Sequence, residues 1–397
     1  MKILYIHQYF KVPSEPGGTR SYWIAKELIK NGHQVTMITA NPKAIVAKEV
    51  KSIDGIKVIY LKEDYAQGMN IAKRMKAFLG FVFKSTREAF RENGVDLVIA
   101  TSTPLTIGIP ALLLKWFRGR KYVFEVRDLW PEVPIQMGAI NNPLLIRAAR
   151  YFEKTIYKNA EHVIALSPGM RDGVVKYIPK ERTSMIPNMS KVTEFFPRKR
   201  NLQLMRQLGL KEETFKLIHF GALGVANGIE TILDAAKLIK NDSSIQFVFL
   251  GGGSTEKELM SICKKEGLDN VVFLPRTPMK ETSEIVNFCD VSLVSFKDLP
   301  ILYTNSPNKL FDSLSAGKPI IVNSAGWTKD MVEQCDCGYY VNPAIPSQLV
   351  DKIIHLKNDD EVLERMGANS RKLAETIFDR TILCKQFAET VNSVISR

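Results

Sequence analysis

Short apolar runs alternate with amphipathic stretches along the whole chain, a pattern typical of parallel strands joined by helices. In the first half this pattern predicts strands at residues 2–6, 34–39, 57–60, 97–100, 121–126 and 162–165. In the second half it predicts strands at residues 216–220, 245–250, 271–274, 291–294, 319–323 and 338–341. Helices such as 19–31, 228–240 and 255–266 are predicted between these strands.

Each half of the chain opens with a strand that leads into a glycine-bearing loop, Gly17-Gly18-Thr19 in the first half and Gly221 to Gly228 in the second. This arrangement predicts an α/β protein of two doubly wound, Rossmann-like domains in tandem. Ligands of such sheets bind beyond the carboxyl ends of the strands, so we expect a cleft between two facing domains. The predicted boundaries are an N-terminal domain at 1–190, a proline-punctuated linker at 191–205, a C-terminal domain at 206–375 and a helix at 376–397 that crosses back to the first domain.

Composition narrows the class of protein. Of the 397 residues 45% are apolar, as in ordinary globular proteins. No apolar run approaches the roughly 20 residues of a membrane-spanning helix, and His7-Gln8 interrupts the first strand too early for a signal peptide. The five cysteines are odd in number and scattered, which favours a reduced, cytoplasmic setting without a structural metal.

The positive charge is confined to the first half of the chain. Residues 1–190 hold 29 Lys and Arg against 16 Asp and Glu, a net charge of +13, whereas the remainder holds 26 of each. Such a field favours an anionic partner, namely a membrane surface, a polyphosphate or a nucleic acid. The stretches 71–84 and 112–121 mix basic with bulky apolar residues and predict peripheral attachment to an anionic membrane. The alternative is that each is a core-packed helix with a solvated rim.

The segment from Ser306 to Pro319 predicts a turn, a short helix and a glycine stop before the next strand. A helix N-terminus presents free N–H groups and the positive end of the helix dipole, so anions bind there. Lys309 in the first turn adds charge for a phosphate, and Asp312, one turn further on the same face, can hold a ribose diol. A nucleotide-sugar site has these two requirements. The alternative is a capped helix whose Lys309 and Asp312 are solvated.

Two loops of the first half hold further candidate residues. Gly17-Gly18 precedes a helix, where glycines allow the backbone to approach a ligand closely, although a plain flexible turn is the alternative. Arg20 in that helix either reaches an acceptor phosphate or forms a surface salt bridge. Arg127-Asp128 follows an apolar strand and therefore emerges at a carboxyl edge. Asp128, ionised beside Arg127, can orient an acceptor hydroxyl or accept its proton; the alternative is an internal ion pair.

Taken in order along the chain, these motifs resemble those of glycosyltransferase family 4, retaining enzymes of the GT-B fold that use nucleotide-activated sugars. The resemblance covers nearly the full length. It rests on Gly17-Gly18-Thr19-Arg20, Arg127-Asp128-Leu129-Trp130-Pro131-Glu132, Pro187-Asn188, Gly221 to Gly228, Gly251-Gly252-Gly253 and Ser306 to Pro319. The second and the last of these are similar to the branch of bacterial N-acetylfucosamine transferases of O-antigen and capsule assembly.

The resemblance also implies which residues touch the substrates. The donor would be bound by Gly17, Gly18, Gly221, Asn227, Gly251, Gly252, Arg276, Thr277, Thr304, Asn305, Ser306, Asn308, Lys309, Leu310 and Asp312. Catalysis would fall to Arg127, Asp128 and Lys309, and acceptor binding to Thr19 and Arg20.

This chain departs from the family pattern at the diphosphate. Ala222 and Asn227 stand where the family has an arginine and a lysine, and Thr304 and Asp312 stand where it has paired glutamates. The resemblance therefore makes Lys309 the leading candidate for the missing phosphate charge, with Arg276 second.

The predicted activity is a metal-independent, retaining glycosyltransferase of the hexosyltransferase type. It would move an N-acetylated deoxyhexosamine from a UDP-sugar to a lipid-diphosphate-linked saccharide in bacterial surface polysaccharide assembly. No metal or cofactor is expected beside the donor, because a lysine and a helix dipole can stabilise the leaving diphosphate and the chain has no Asp-x-Asp motif. The expected location is the cytoplasmic face of the cell membrane, with no nucleic-acid partner. The alternatives are a nucleotide-sugar epimerase of GT-B fold and a basic nucleic-acid-binding protein.

Overall fold

The computed structural model describes residues 1–15, 17–63, 69 and 71–396. These residues divide into two compact units: unit 1 is Met1–Pro187 together with Thr381–Arg397, and unit 2 is Asn188–Arg380. Each unit contains one sheet of mostly parallel strands connected by helices, so the predicted pair of doubly wound domains is confirmed.

Unit 1 is built around a sheet of eight strands. The strands are β1 Lys2–Ile6, β2 Gln34–Asn41, β3 Lys48–Ile53, β4 Ile56–Lys62, β5 Leu97–Thr101, β6 Lys121–Val126, β7 His162–Ala165 and β8 Thr183–Met185. Its helices are α1 Arg20–Lys30, α2 Ile71–Arg91, α3 Gly108–Arg118, α4 Glu132–Gln136, α5 Pro143–Asn159 and α6 Pro168–Val175. The strand order is β3-β4-β2-β1-β5-β6-β7-β8, and only β3 runs antiparallel to its neighbour.

The central strand of unit 1 is β1, in which Leu4 pairs with Thr36 on one side and Val98 on the other. β1 and β5 are continuous apolar runs because both faces of the sheet are covered. The side chains that follow β1, β5 and β6 meet at one carboxyl edge of this sheet.

Unit 2 holds a sheet of six parallel strands in the order β11-β10-β9-β12-β13-β14. The strands are β9 Phe215–Ala222, β10 Ile245–Gly252, β11 Val271–Leu274, β12 Val291–Val294, β13 Ile320–Val322 and β14 Gly338–Tyr340. The helices are α7 Leu202–Gln207, α8 Glu230–Leu238, α9 Glu256–Glu266, α10 Met279–Phe288, α11 Asn308–Ser315, α12 Trp327–Gln334, α13 Pro346–Asn358 and α14 Asp360–Thr376. Core side chains such as Phe249 and Phe273, stacked with centroids 5.2 Å apart, fill the space beneath the helices.

The last helix, α15 Arg380–Ile395, belongs to unit 1, where the Asn392 amide oxygen lies 2.8 Å from His33 Nε2. The boundary between the units differs from the prediction, because it falls after Pro187 rather than within 191–205. The residues predicted as a linker are part of unit 2. The backbone N–H of Lys191 donates to Ser315 Oγ at 3.0 Å, and Phe195 stacks on Phe220 in the core.

Strand β3 was not predicted, because its sequence has no apolar alternation and most of its side chains are exposed. The turn to β4 explains it. Asp54 and Gly55 have φ angles of 48° and 87°, the left-handed conformation that two-residue hairpins require and that Asp-Gly favours. A search for Asp-Gly between strand-like segments would have detected this hairpin. The three-residue strand β8 was also missed.

Candidate functional site

The carboxyl edge of the unit 2 sheet brings together three of the predicted donor-binding residues. Lys309, in the first turn of α11, places its Nζ 3.1 Å from Asn227 Oδ1, in the loop that follows β9. The backbone of Gly221 at the end of β9 has a φ of +113°, and a β-carbon there would lie 3.7 Å from Lys309 Cε. A glycine thus gives the backbone this conformation beside the lysine.

A residue that was not predicted completes this cluster. His219 on β9 is fully buried, and its Nε2 lies 2.8 Å from Lys309 Nζ. Its Nδ1 lies 3.2 Å from the carbonyl oxygen of Leu293 on β12. No local pattern predicted this contact, since a histidine within an apolar strand has the pattern of a core residue.

The electrostatics of Lys309 are unusual for a lysine. Burial lowers the pKa of its ammonium to about 7. Within the described residues, no Asp or Glu forms an ion pair with it. Burial and, second, the Lys309 charge hold the pKa of His219 well below its usual value, so the imidazole is neutral. The cluster therefore contains a cation whose described partners are all neutral.

Asp312 has a partner that was not predicted. Its carboxylate is buried, and both of its oxygens lie 3.1 Å from Lys191 Nζ. Burial raises the pKa of Asp312, and Lys191 opposes that shift. Asp312 lies one turn after Lys309 in α11, and the two side chains have different neighbours: Lys191 for Asp312, and His219 and Asn227 for Lys309. Its role as a diol acceptor stays a prediction.

The turn before α11 is held by local hydrogen bonds. Ser306 Oγ accepts from the backbone N–H of Asn188 at 3.2 Å, and the Asn188 side chain donates to the Ser306 carbonyl. Thr304 Oγ1 donates to the Ile301 carbonyl at 2.7 Å. Trp327 Nε1 donates to the Asn305 carbonyl at 2.6 Å. These bonds fix the entry to α11, whose exit is capped by Gly317 at a φ of +63°, as the predicted glycine stop requires. Asn308 and Leu310 belong to the first turn itself, and Leu310 is buried.

A second group of predicted residues lies at the end of β10. A β-carbon on Gly251 would lie 1.9 Å from the Gly221 carbonyl oxygen, so a glycine is required there by strand packing alone. Arg276 Nη2 donates to the Gly252 carbonyl at 2.7 Å, which places this arginine at the same carboxyl edge. Thr277 lies beyond it, with its hydroxyl 2.9 Å from that of Thr282.

The carboxyl edge of the unit 1 sheet holds the predicted pair Arg127 and Asp128. Thr103 Oγ1 donates to Asp128 Oδ2 at 3.0 Å. Burial raises the pKa of Asp128, whereas the Thr103 hydrogen bond and the Arg127 charge oppose that shift. His7, which was not predicted, lies with its Nε2 3.4 Å from Arg127 Nη1 and its Nδ1 2.6 Å from Ser21 Oγ. These groups form a polar cluster around a half-buried carboxyl.

The structure contradicts the prediction that Arg20 is available to an acceptor. Its side chain is buried, and Nε lies 2.7 Å from Glu125 Oε1. Nη2 donates to the Ile186 carbonyl at 2.9 Å, and Nη1 donates to that of Pro187. The salt bridge is internal rather than superficial, because α1 packs on the sheet with this face inward. Thr19 is also buried and forms the N-cap of α1, behind the exposed Gly17 and the half-buried Gly18.

Family models match both halves of the chain. Residues 17–189 match the model described as Glycosyl transferase 4-like domain, and residues 201–373 match the model described as Glycosyl transferases group 1. The chain is 26% identical over 341 residues to WbjE of Pseudomonas aeruginosa, which is named as a probable glycosyltransferase. The aligned residues cover 82% of this chain and 80% of that protein. It is 21% identical to WcaI of Escherichia coli (strain K12), whose name refers to colanic acid biosynthesis, over 93% of each protein.

Among solved structures, Anabaena Alr3699/HepE in complex with UDP-glucose matches with a TM-score of 0.72 and 20% identity, covering 99% of this chain and 100% of that one. Together with the two domain matches, this likeness confirms the predicted GT-B fold. The two alternatives to a glycosyltransferase, an epimerase and a nucleic-acid-binding protein, find no support in these comparisons.

Proposed function

We propose a specific reaction for this chain. Its two domains match glycosyltransferase models, and at family level it is a glycosyltransferase of polysaccharide biosynthesis. The enzyme moves a sugar, an N-acetylated deoxyhexosamine, from a UDP-sugar to a lipid-diphosphate-linked saccharide, with retention of configuration. The observation that carries the proposal is the Lys309 ammonium, held 2.8 Å from His219 and 3.1 Å from Asn227 at the carboxyl edge of unit 2. The UDP-glucose complex of HepE, a protein of the same fold, supports a UDP-linked donor.

Lys309 and the first turn of α11 fit the leaving group of this reaction. The negative charge that develops on a departing diphosphate is stabilised by a fixed cation and by N–H groups at a helix N-terminus. Asp128 in unit 1 is proposed to orient the acceptor hydroxyl and to take its proton. Arg127 keeps a positive charge beside that carboxyl. The acceptor oxygen then attacks the sugar from the face that the diphosphate leaves, and no metal is required in this proposal.

The donor is tested first by thermal denaturation with UDP-, GDP- and dTDP-sugars, since a ligand that binds only the folded state raises the melting temperature. We expect UDP-sugars to stabilise the wild-type chain. Lys309→Met should weaken UDP-sugar binding about 10- to 100-fold, the range expected for one charged hydrogen bond. The matched control is Lys318→Met, which removes another half-buried lysine of unit 2. Its Nζ donates to the Asn287 carbonyl at 3.0 Å. Equal binding by the wild type and Lys309→Met would refute this donor site.

We also propose that unit 1 attaches to an anionic membrane, where a lipid-linked acceptor resides. The predicted stretches 71–84 and 112–121 form parts of α2 and α3 and expose Phe83 and Phe117, although Lys84 and Lys115 pair with Glu63 and Glu161. The side chains of Ile71, Ala72 and Arg74 lie outside the described residues. No helix of the described chain is long and apolar enough to cross a bilayer.

Helix α5 presents a third surface of the same kind. Leu144 and Tyr151 are 77% and 71% exposed and lie two turns apart on one face. Arg147 and Lys154 are exposed beside them, whereas Glu153, the only acidic residue of α5, is buried. Exposed apolar side chains flanked by cations are the composition of a helix that lies on anionic lipid. Helix α5 is joined to α4, which follows the loop that contains Asp128, by an ion pair of 2.7 Å between Arg150 Nε and Glu132 Oε1.

Vesicle sedimentation tests the attachment. The chain should bind vesicles that contain anionic phospholipid, bind neutral vesicles less, and lose binding at high salt. Tyr151→Glu on α5 and Phe117→Glu on α3 should each reduce binding. The matched control, Leu238→Glu, places the same charge at an exposed apolar position of α8 in unit 2. Salt-sensitive binding to DNA but not to vesicles would refute a membrane partner.

A further inference from the structure

We propose that His219 is a positioning residue: it holds the Lys309 ammonium in place for the donor diphosphate without pairing it with a negative charge. The inference rests on the proposed donor function and goes further, because it assigns a role to a residue that the family motifs do not include. Four observations carry it: the burial of His219, its tautomer, the neutral partners of Lys309 and the donor capacity that Lys309 retains.

His219 places an imidazole where both of its ring nitrogens must find hydrogen-bond partners inside the protein. It lies on β9, the strand between β10 and β12, with no exposed surface. A buried polar ring is costly unless both of its nitrogens find partners. Here Nδ1 lies 3.2 Å from the Leu293 carbonyl oxygen and Nε2 lies 2.8 Å from Lys309 Nζ. One side chain thus connects a central strand of the sheet to the first turn of α11.

The Leu293 contact assigns the ring hydrogen to Nδ1, and the ring also has a backbone hydrogen bond with Ala222 that raises its pKa. A carbonyl oxygen can only accept a hydrogen bond, so Nδ1 carries the hydrogen and donates it to Leu293. Nε2 of the neutral ring then has a lone pair, which accepts from the Lys309 ammonium. The neighbouring strand therefore orients the ring so that its acceptor faces the lysine.

The partners of Lys309 leave it able to serve a ligand. The ammonium has three N–H groups, of which one is directed to His219 Nε2 and one to Asn227 Oδ1. Within the described residues, the third has no acceptor. Both partners are uncharged, whereas Lys191 in the same unit is paired with the carboxylate of Asp312. When protonated, a lysine held by neutral acceptors has no carboxylate beside it and keeps one N–H group for a phosphate oxygen.

Two carboxamide variants separate this role from a structural one. His219→Asn retains a donor near the Leu293 carbonyl but loses the acceptor that faces Lys309. His219→Gln is longer and can place its amide oxygen near the former Nε2. The control is His162→Asn, which changes another buried histidine, in unit 1, whose Nε2 lies 2.7 Å from Ser184 Oγ.

The dissociation constants of UDP, inorganic pyrophosphate and uridine are measured by calorimetry for each variant. We expect His219→Asn to weaken UDP and pyrophosphate at least tenfold and uridine less than twofold, because uridine has no phosphate for Lys309 to contact. His219→Gln should restore UDP binding to within about threefold of the wild type, and His162→Asn should leave all three constants unchanged.

Wild-type UDP affinity in His219→Asn, an equal loss of uridine affinity, or the absence of rescue by His219→Gln would each overturn the inference and leave the donor site standing. Failure of the wild-type chain to bind UDP or pyrophosphate would overturn the proposed donor as well. A melting temperature is recorded for every variant. If His219→Asn does not fold, UDP affinity of His219→Gln below one tenth of the wild-type value overturns the inference, and near wild-type affinity supports it.

Discussion

The carboxyl edges of the two sheets carry the same pair of groups, a buried histidine beside a cation, in different surroundings. In unit 1, His7 Nε2 lies 3.4 Å from Arg127 Nη1, and the following residue is the half-buried Asp128. In unit 2, His219 Nε2 lies 2.8 Å from Lys309 Nζ, and Asn227 supplies a neutral oxygen. Burial lowers the pKa of both histidines well below the usual value, so both rings are neutral.

The difference lies in what neutralises each cation. A carboxylate beside a cation offsets much of its positive potential, whereas a cation among neutral acceptors attracts an anionic ligand. The unit 2 edge is therefore suited to a diphosphate. The unit 1 edge, with a carboxyl, a hydroxyl and an arginine, is suited to handling a substrate hydroxyl and its proton. In the proposed reaction, two edges of similar composition would therefore serve the donor and the acceptor respectively.

The largest expected effect concerns the buried pair beneath the unit 1 edge. Arg20→Met leaves Glu125, which is 2.7 Å from Arg20 Nε, as an unpaired buried carboxylate. Breaking such a pair costs about 3–5 kcal/mol, so the free energy of unfolding should fall by that amount in urea denaturation. The double variant Arg20→Met/Glu125→Leu removes both charges and should recover part of the loss. Unchanged stability with a raised acceptor KM would instead make Arg20 a ligand-binding cation, and the contrast between the edges would disappear.

Asp128→Asn, with the next largest expected effect, tests the role proposed for the unit 1 edge. The asparagine keeps the shape of the side chain but cannot take a proton, so kcat for transfer should fall about 100-fold or more. The dissociation constant of the donor should stay within twofold, since the donor diphosphate is assigned to unit 2. Thr103→Val, which removes the 3.0 Å hydrogen bond to Asp128, should give a smaller loss of kcat. A loss of donor affinity at constant kcat would place Asp128 on the donor side and contradict the division of roles.

Much of the fold was readable from the sequence, because buried parallel strands are short apolar runs that stand out from their helices. The motif order also located Gly221, Asn227 and Lys309, which the structure brings together. Local patterns carry this information: a strand end, a glycine loop and a helix N-terminus are each defined by a few adjacent residues. The hairpin at Asp54-Gly55 was equally local and was overlooked.

The contacts that were missed join residues distant in sequence. The partner of Asp312 was not predicted, because Lys191 lies 121 positions earlier in the chain. The partner of Arg20 is 105 positions away, at Glu125. His219 was not predicted for another reason. No sequence pattern distinguishes a single histidine in an apolar strand from a core residue, and its role depends on where α11 places Lys309. Pairings of this kind follow from tertiary packing and not from local pattern.

The smallest predicted effect is a pH dependence of donor binding, which arises at the unit 2 edge. Because burial lowers the pKa of Lys309 to about 7, its ammonium is fully charged only below that pH in the ligand-free protein. A bound diphosphate favours the charged form, so binding takes up a proton, and the dissociation constant of a UDP-sugar should rise up to about tenfold per pH unit above pH 7. His219 stays neutral over this range and therefore adds no pH dependence to the dissociation constant.

A UDP-sugar is the right probe, since both of its phosphates are esterified and hold no titrating proton near neutrality. Calorimetry from pH 6 to 8.5 should show weak, pH-independent binding for Lys309→Met and wild-type behaviour for Lys318→Met. A flat wild-type profile would mean that Lys309 is charged throughout or does not contact the diphosphate, and a profile that strengthens with pH would assign the anion to another group.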